Sequence, residues 1–292
     1  MKVAIIGLGR MGRGIAKNLV NKGYEVEGFD IDKNLYKLLS DLKGFKPLNN
    51  ISDAHDSDYI LLLLPTGKEV IDVIKALKDY KGIIIDMTTM GYDEINDVIN
   101  FINNSGLNYI SAKIERGPAD AEAGRLVFYV GGNKKLYEKS KNLLNDMGEH
   151  IYLESNENAN IIKLISTLLL TANTILLAEI SQIADKLKID KDLLVKALSM
   201  GGADSVQLRS RFPMMINKNY KEIFSIKLGK YVAEKTLEYL NDYGINYTPV
   251  LRNILDVLKL SNMLKIGDKD IAEISEFYKK VNNDKETANL NF

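Results

Sequence analysis

The sequence predicts an α/β domain built on a doubly wound, mainly parallel sheet, followed by an all-helical domain, with one long helix joining the two. Three observations predict this. A short β-branched run, KVAII at residues 2–6, breaks into GLGRMG at 7–12 and then into a helical pattern. Strand patterns, two of them uninterrupted apolar runs of the kind that suits burial on both faces, then alternate with helical patterns as far as residue 132. Beyond Lys188 only helical periodicity is left, punctuated by glycines at 201, 202, 244 and 267. At 292 residues the chain is long for one core. The expected division is 1–157, a connecting helix at 158–188, and 189–292.

Strand, glycine-rich turn and helix in that order is the context in which GxGxxG reads as a dinucleotide-binding, or Rossmann, motif. Gly7 permits the tight turn, Gly9 lets the backbone approach a pyrophosphate, and Gly12 lets the helix pack against the strand. Leu8, Arg10 and Met11 complete that loop, and the helix N-terminus faces the phosphates. Gly23 closes the helix, and YEVEGFD at 24–30 reads as a second strand ending on Asp30. A carboxylate about 20 residues after the loop accepts hydrogen bonds from the adenosine ribose and repels a 2′-phosphate. No arginine follows it, so NAD is favoured, with NADP the alternative. Further strands are read at 58–65, ending in Leu64 and Pro65, and at 82–89, ending in Asp86, Thr88 and Thr89. Two more fall around 107–114 and 125–132, with helices at 70–77 and 95–102 between strands.

The stretch 158–188 carries no charge from Leu164 to Ala178, and Lys163 stands just before that run. On a helix, Ser166, Thr167, Thr171, Asn173 and Thr174 fall within roughly 80° of Lys163. Leu164, Ile165, Leu168, Leu169, Ala172, Ile175 and Leu176 take the other side, which is expected to be buried. A surface helix ordinarily carries several charges on its wet face, so this stripe reads as the lining of a cleft. The competing reading is a core helix whose hydroxyls bond back to their own carbonyls. The run is shorter than the roughly 20 apolar residues a bilayer needs, so no membrane span is expected. After it, helices are expected over 191–200, 233–244, 250–261 and 270–281, and the polar residues 281–292 are expected to fray.

Lys and Arg together number 39, as do Asp and Glu, so the balance of charge points to neither nucleic acid nor an anionic membrane. With no cysteine, disulfides, thiolate nucleophiles and cysteine metal sites are excluded. His55 and His150 lack metal-ligand spacing and read as loop residues; no metal is expected. Met1 leads directly into a strand pattern without a secretory segment, from which a cytoplasmic protein is expected.

GLGRMGRGIAKNL, the LLLLP strand end, DMTT, GPADAEAGRL before VGG, Lys163 on the long helix, Phe224 followed by Lys230, and GDKD at 267–270 stand in an order that resembles the β-hydroxyacid dehydrogenases. That family includes 3-hydroxyisobutyrate dehydrogenase and is related to 6-phosphogluconate dehydrogenase. The resemblance covers nearly the whole chain. It implies an NAD(P)-dependent oxidoreductase acting on a small 3-hydroxy acid or its semialdehyde, and a homodimer or homotetramer joined through the helical domains. It also implies that Lys163 is the general acid/base, suited to the task if desolvation and a nearby cation lower its pKa. Thr89 matches a hydroxyl near nicotinamide and substrate, and Lys230 a lysine on the cofactor side.

Three departures bear on the substrate. Where the family carries Ser-Gly-Gly in its substrate loop, this chain has Glu115, Arg116 and Gly117. Ser166 and Thr167 stand one turn beyond the lysine in place of an asparagine, and Lys230 is followed by Tyr231. Arg116 either clamps an anionic substrate group or is neutralised by Glu115 or Glu122 and only shapes the loop. A small anionic metabolite is the expected partner. A short 6-phosphogluconate dehydrogenase and an imine reductase are the rival enzymes, and a cofactor-binding protein without turnover is the non-enzyme alternative.

Overall fold

A computed structural model of the chain describes residues 1–221 and 223–283. It forms two compact units, Met1–Lys163 and the residues from Leu164 onward. The first unit is organised on eight strands: β1 (Lys2–Ile6), β2 (Glu25–Phe29), β3 (Phe45–Pro47), β4 (Tyr59–Leu62), β5 (Ile83–Asp86), β6 (Asn108–Glu115), β7 (Leu126–Gly132) and β8 (Gly148–Tyr152). They lie side by side in the order β3-β2-β1-β4-β5-β6-β7-β8. Only the β6–β7 pairing is antiparallel. The helices of this unit are α1 (Arg10–Asn21), α2 (Gly67–Ala76), α3 (Tyr92–Ser105), α4 (Pro118–Glu122) and α5 (Lys134–Met147), and α6 (Asn156–Leu187) runs on into the second unit.

The six strands read from the sequence are present. β3 and β8 were not foreseen: one is three residues long, and the other alternates half-buried with exposed positions and carries no apolar run. His150, expected in a loop, lies in β8, where its Nδ1 faces the Tyr137 hydroxyl at 3.1 Å. His55 lies in a 3-10 helix over Ile51–Asp56.

Successive residues of a strand face opposite ways, and the central strands feed two cores. Val3, Ile5, Leu61 and Ile85 pack with Ile15, Leu19 and Leu143 of α1 and α5. Ala4, Ile6, Ile60, Leu62 and Ile84 pack with Val70, Ile74, Ile95 and Val98 of α2 and α3. Burial on both faces is why these strands read as unbroken apolar runs. β6 differs. Ile110 and Ala112 enter the first core, whereas Tyr109, Ser111, Lys113 and Glu115 share the opposite face.

The second unit continues with α7 (Lys191–Leu198), α8 (Val206–Ser210), α9 (Phe212–Asn217), α10 (Ile226–Asp242), α11 (Pro249–Met263) and α12 (Ile274–Asn283). Its described residues contain no strand beyond an isolated bridge between Ser225 and Asp270. α8 and α9 are too short to show a helical period, which is why they were not foreseen. Asp270 of the GDKD motif is fully engaged. It meets Arg211 at 2.7 Å and accepts the backbone N–H groups of Ile223 and Phe224, each at 2.9 Å. The fraying expected from residue 281 falls largely outside the described residues; Val281–Asn283 close α12.

α6 reverses part of the expected pattern. Thr167, Thr171 and Thr174 are buried together with Leu164, Ile175 and Ala178, while Ile165, Leu169 and Leu176 are exposed. Part of the hydroxyl stripe is therefore inside, and Thr174 satisfies its hydroxyl on the carbonyl of Leu170 at 2.8 Å, as the core-helix reading requires. By length and composition alone, α6 is the one described helix long and apolar enough to cross a membrane.

Candidate active site

The turn from β1 into α1 is built by steric necessity. Gly7 has φ +103°, and a Cβ there would lie 2.2 Å from the Leu63 carbonyl oxygen. A Cβ on Gly12 would lie 2.0 Å from the carbonyl oxygen of Gly7, so α1 starts this close to the strand only with glycine. At Gly9 the space beyond the backbone is open to 4 Å. No acidic residue stands in the first turn of α1, whose N-terminal N–H groups and partial positive charge suit an anion. Asp30 closes the loop from β2: Oδ2 accepts the Leu8 N–H at 2.7 Å and Oδ1 the Asp32 N–H at 2.9 Å. Each oxygen keeps a further lone pair for a ribose hydroxyl. An open glycine, a helix N-terminus without an acidic residue in its first turn and an acceptor at the end of β2 fit a dinucleotide.

The segments after β4 and β5 are tied to each other. The Leu64 N–H donates to the Thr88 hydroxyl at 3.2 Å. Asp86 accepts the Thr88 N–H at 3.0 Å through one oxygen and the Tyr109 hydroxyl at 2.9 Å through the other. Met90 is held from α6, where the Asn160 amide accepts its N–H at 3.3 Å and donates to its carbonyl at 2.8 Å. Thr89 sits half-buried between Thr88 and Met90.

One turn along α6 from Asn160, Lys163 reaches back to β6 and donates to Glu115 Oε1 at 3.1 Å, with both side chains more than four-fifths buried. Burial holds the Lys163 amine below the usual lysine range, and the Glu115 carboxylate opposes that shift. Where a nearby cation was expected an anion, Glu115, stands beside the amine, and burial is what lowers the pKa. An amine so placed can give or take one proton at its Nζ.

Arg116 diverges from its neighbour. It occupies φ +75°, donates to the Arg125 carbonyl at 2.6 Å and lies 3.6 Å from Glu149 on β8. Neither carboxylate expected beside it is its partner, since Glu115 holds Lys163 and Glu122 holds Lys17. Gly117 caps α4. Ser166 and Thr167 follow Lys163 into the second unit, and Lys230 lies there on α10, paired with Glu234 at 3.3 Å. The first unit therefore brings together the glycine loop with Asp30, Leu64 with Thr88, and Glu115 with Lys163. Among the described residues no cluster of three or more His, Asp or Glu could hold a metal.

Sequence reasoning missed Lys113, Asn160 and the role of Asp86. Lys113 is wholly buried, 2.6 Å from Asp86 and 2.5 Å from the Thr88 carbonyl oxygen. The signal was available: Tyr109, Ser111, Lys113 and Glu115 alternate with Ile110, Ala112 and Ile114, which marks a strand with one polar face.

The NAD-binding-domain family of 6-phosphogluconate dehydrogenase matches residues 2–155. The chain belongs to this family. The 3-sulfolactaldehyde reductase of Escherichia coli is 27% identical over 219 residues, covering 72% of this chain and 73% of that protein. Human mitochondrial 3-hydroxyisobutyrate dehydrogenase is 29% identical over 208 residues, 68% of this chain and 61% of that one. Among solved structures, the 3-hydroxyisobutyrate dehydrogenase of Mycobacterium tuberculosis with L-serine superposes with a TM-score of 0.85 at 21% identity, over 95% of this chain and 99% of that one. This family member is an NAD(P)-dependent oxidoreductase, as the motif order implied.

Proposed function

We propose that the protein reduces a small semialdehyde, or oxidises the corresponding 3-hydroxy acid, with Lys163 as the general acid/base and NAD as the preferred cofactor. The observation that carries this is the buried Lys163 amine, held below its usual pKa on the helix that leaves the nucleotide-binding unit. When bound, the nicotinamide supplies or accepts the hydride. The chain's own part is to orient that cofactor through the Gly7–Gly12 loop and Asp30, and to hold a proton at Lys163 Nζ for the carbonyl oxygen. The names of the similar proteins, a sulfolactaldehyde reductase and a hydroxyisobutyrate dehydrogenase, support a small anionic substrate.

Assembly through the helical half belongs to the same proposal. Ile165, Leu169, Leu176, Ile183 and Leu187 form an exposed apolar row along α6, spaced by four and seven residues. A second copy of the chain is the occupant this row suits.

NADH oxidation by wild type and Lys163→Ala against a panel of semialdehydes tests the reading. A substrate turned over only by wild type is expected. Equal turnover by both proteins on every active substrate would overturn the role of Lys163.

A further inference from the structure

A lysine with no exposed surface is costly to bury, and Lys113 is one of the largest wholly buried side chains in the protein. It stands on the polar face of β6, two residues before Glu115, and no step of the proposed chemistry uses it. Its ammonium touches two oxygens, the Asp86 carboxylate at 2.6 Å and the Thr88 carbonyl at 2.5 Å. Asp86 returns to the same turn by accepting the Thr88 N–H, and the Thr88 hydroxyl is fixed by the Leu64 N–H. Every polar group of Thr88 is thus engaged. Asn160 does the same for the N–H and carbonyl of Met90. Thr89 lies between two residues whose backbones have no freedom left to reorient without breaking a buried hydrogen bond.

The place of this turn in the fold says what it serves. A dinucleotide crosses the carboxyl ends of the strands, with its pyrophosphate at the loop after β1 and its adenosine ribose at Asp30 after β2. Its other half extends over β4 and β5. The Thr88–Met90 turn follows β5 directly. We propose that Lys113 is a positioning residue for the nicotinamide end of the cofactor, acting through the turn that it and Asp86 hold.

Packing alone does not account for the lysine. An apolar side chain would fill the same space at lower electrostatic cost, but would leave the Thr88 carbonyl without its donor and Asp86 without its counter-charge. The inference rests on the reading that Thr89 faces the nicotinamide, and its test is independent of turnover. Lys113→Met combined with Asp86→Asn removes both charges at nearly constant volume, so no buried ion is left unpaired. Folding is followed by circular dichroism, NADH binding by fluorescence titration, and ADP-ribose binding by calorimetry. ADP-ribose shares the adenosine, the pyrophosphate and the second ribose but lacks the nicotinamide.

The folded double variant is expected to bind NADH about tenfold more weakly, the loss of a charge-assisted hydrogen bond, while ADP-ribose binds as to wild type. Equal loss for both ligands would mean a general structural role and overturn the proposal; so would no loss for either. If the double variant does not fold, Tyr109→Phe removes a single donor to Asp86 without adding charge or space. It is expected to weaken NADH alone, by about threefold, and the same two contrary outcomes overturn the proposal. Wild type binding ADP-ribose as tightly as NADH would remove the premise that this turn holds the nicotinamide at all. None of these outcomes bears on whether Lys163 moves the proton.

Discussion

The Lys163 amine lies 3.1 Å from the Glu115 carboxylate, so the group proposed to carry the proton is ion-paired to the strand it faces. Where the resemblance led to a serine and backbone amides, a charge stands instead. With both side chains largely out of solvent, the pair is weakly screened.

Lys163→Ala is expected to keep the fold and NADH affinity while kcat falls by roughly 10²–10⁴, the usual contribution of a general acid–base group. Single-turnover measurements on an active substrate check this. Retention of more than about a tenth of wild-type activity would mean that another group supplies the proton.

Glu115→Gln is expected to move the pH profile of both directions downward. Burial lowers the Lys163 pKa and the Glu115 charge opposes it, so neutralising Glu115 lets that pKa fall further. Reduction needs the protonated amine, and its decline with rising pH would begin earlier. Oxidation needs the neutral amine, and its rise would begin earlier as well. A wild-type profile in both directions would show that the pair is not coupled to the chemistry.

For cofactor choice the useful variant is Asp30→Asn. It removes the negative charge but keeps an oxygen for the Leu8 N–H, whereas Asp30→Gly would also untether the loop. The ratio of NADPH to NADH affinity, titrated at one ionic strength, is expected to rise about tenfold or less as one repulsive charge is lost. A wild type that already binds NADPH more tightly than NADH would overturn the preference assigned to Asp30.

His55 is expected to stabilise the protein more in acid than in alkali. Its Nδ1 lies 2.7 Å from the Ser52 carbonyl and its Nε2 2.9 Å from that of Lys78, so both acceptors are satisfied only by the doubly protonated ring. The Lys78 bond, then the Ser52 bond, raises its pKa above the ordinary value of 6.5. The contribution is therefore complete below the unfolded pKa and is lost as pH rises through the higher folded one. The fall in Tm caused by His55→Gln should be larger at about pH 5.5 than at about pH 8.5. Equal losses at both would exclude the linkage.

The nucleotide-binding half was legible because its constraints are local. Gly12 reports a backbone contact with Gly7 in its own loop, Gly7 a left-handed backbone at that turn, and two-sided burial writes itself as the runs at 58–65 and 82–89. Lys163 was legible as the lysine heading an uncharged helix. Its partner was not, since only the placement of α6 against β6 brings residue 115 to residue 163. The carboxylates expected beside Arg116 were not its partners: a left-handed backbone turns it toward the Arg125 carbonyl and toward Glu149 of β8, which only the sheet brings near. On α6 the hydroxyls of Thr167, Thr171 and Thr174 left a cleft lining and a core helix both open; these residues are buried, and Thr174 bonds back to its own helix. Lys113 escaped because β6 was read as a strand without asking which of its faces each residue takes.

Asp30 moors Leu8 with the same carboxylate that is proposed to meet the ribose. That coupling constrains how this lineage can drift between cofactors. A change at position 30 that gives up the side-chain oxygen loosens the loop at Leu8, whereas asparagine sheds the charge and keeps that oxygen. Drift between cofactors is therefore expected to pass through asparagine first, with side chains that lack an acceptor open only after another residue has taken over the Leu8 N–H.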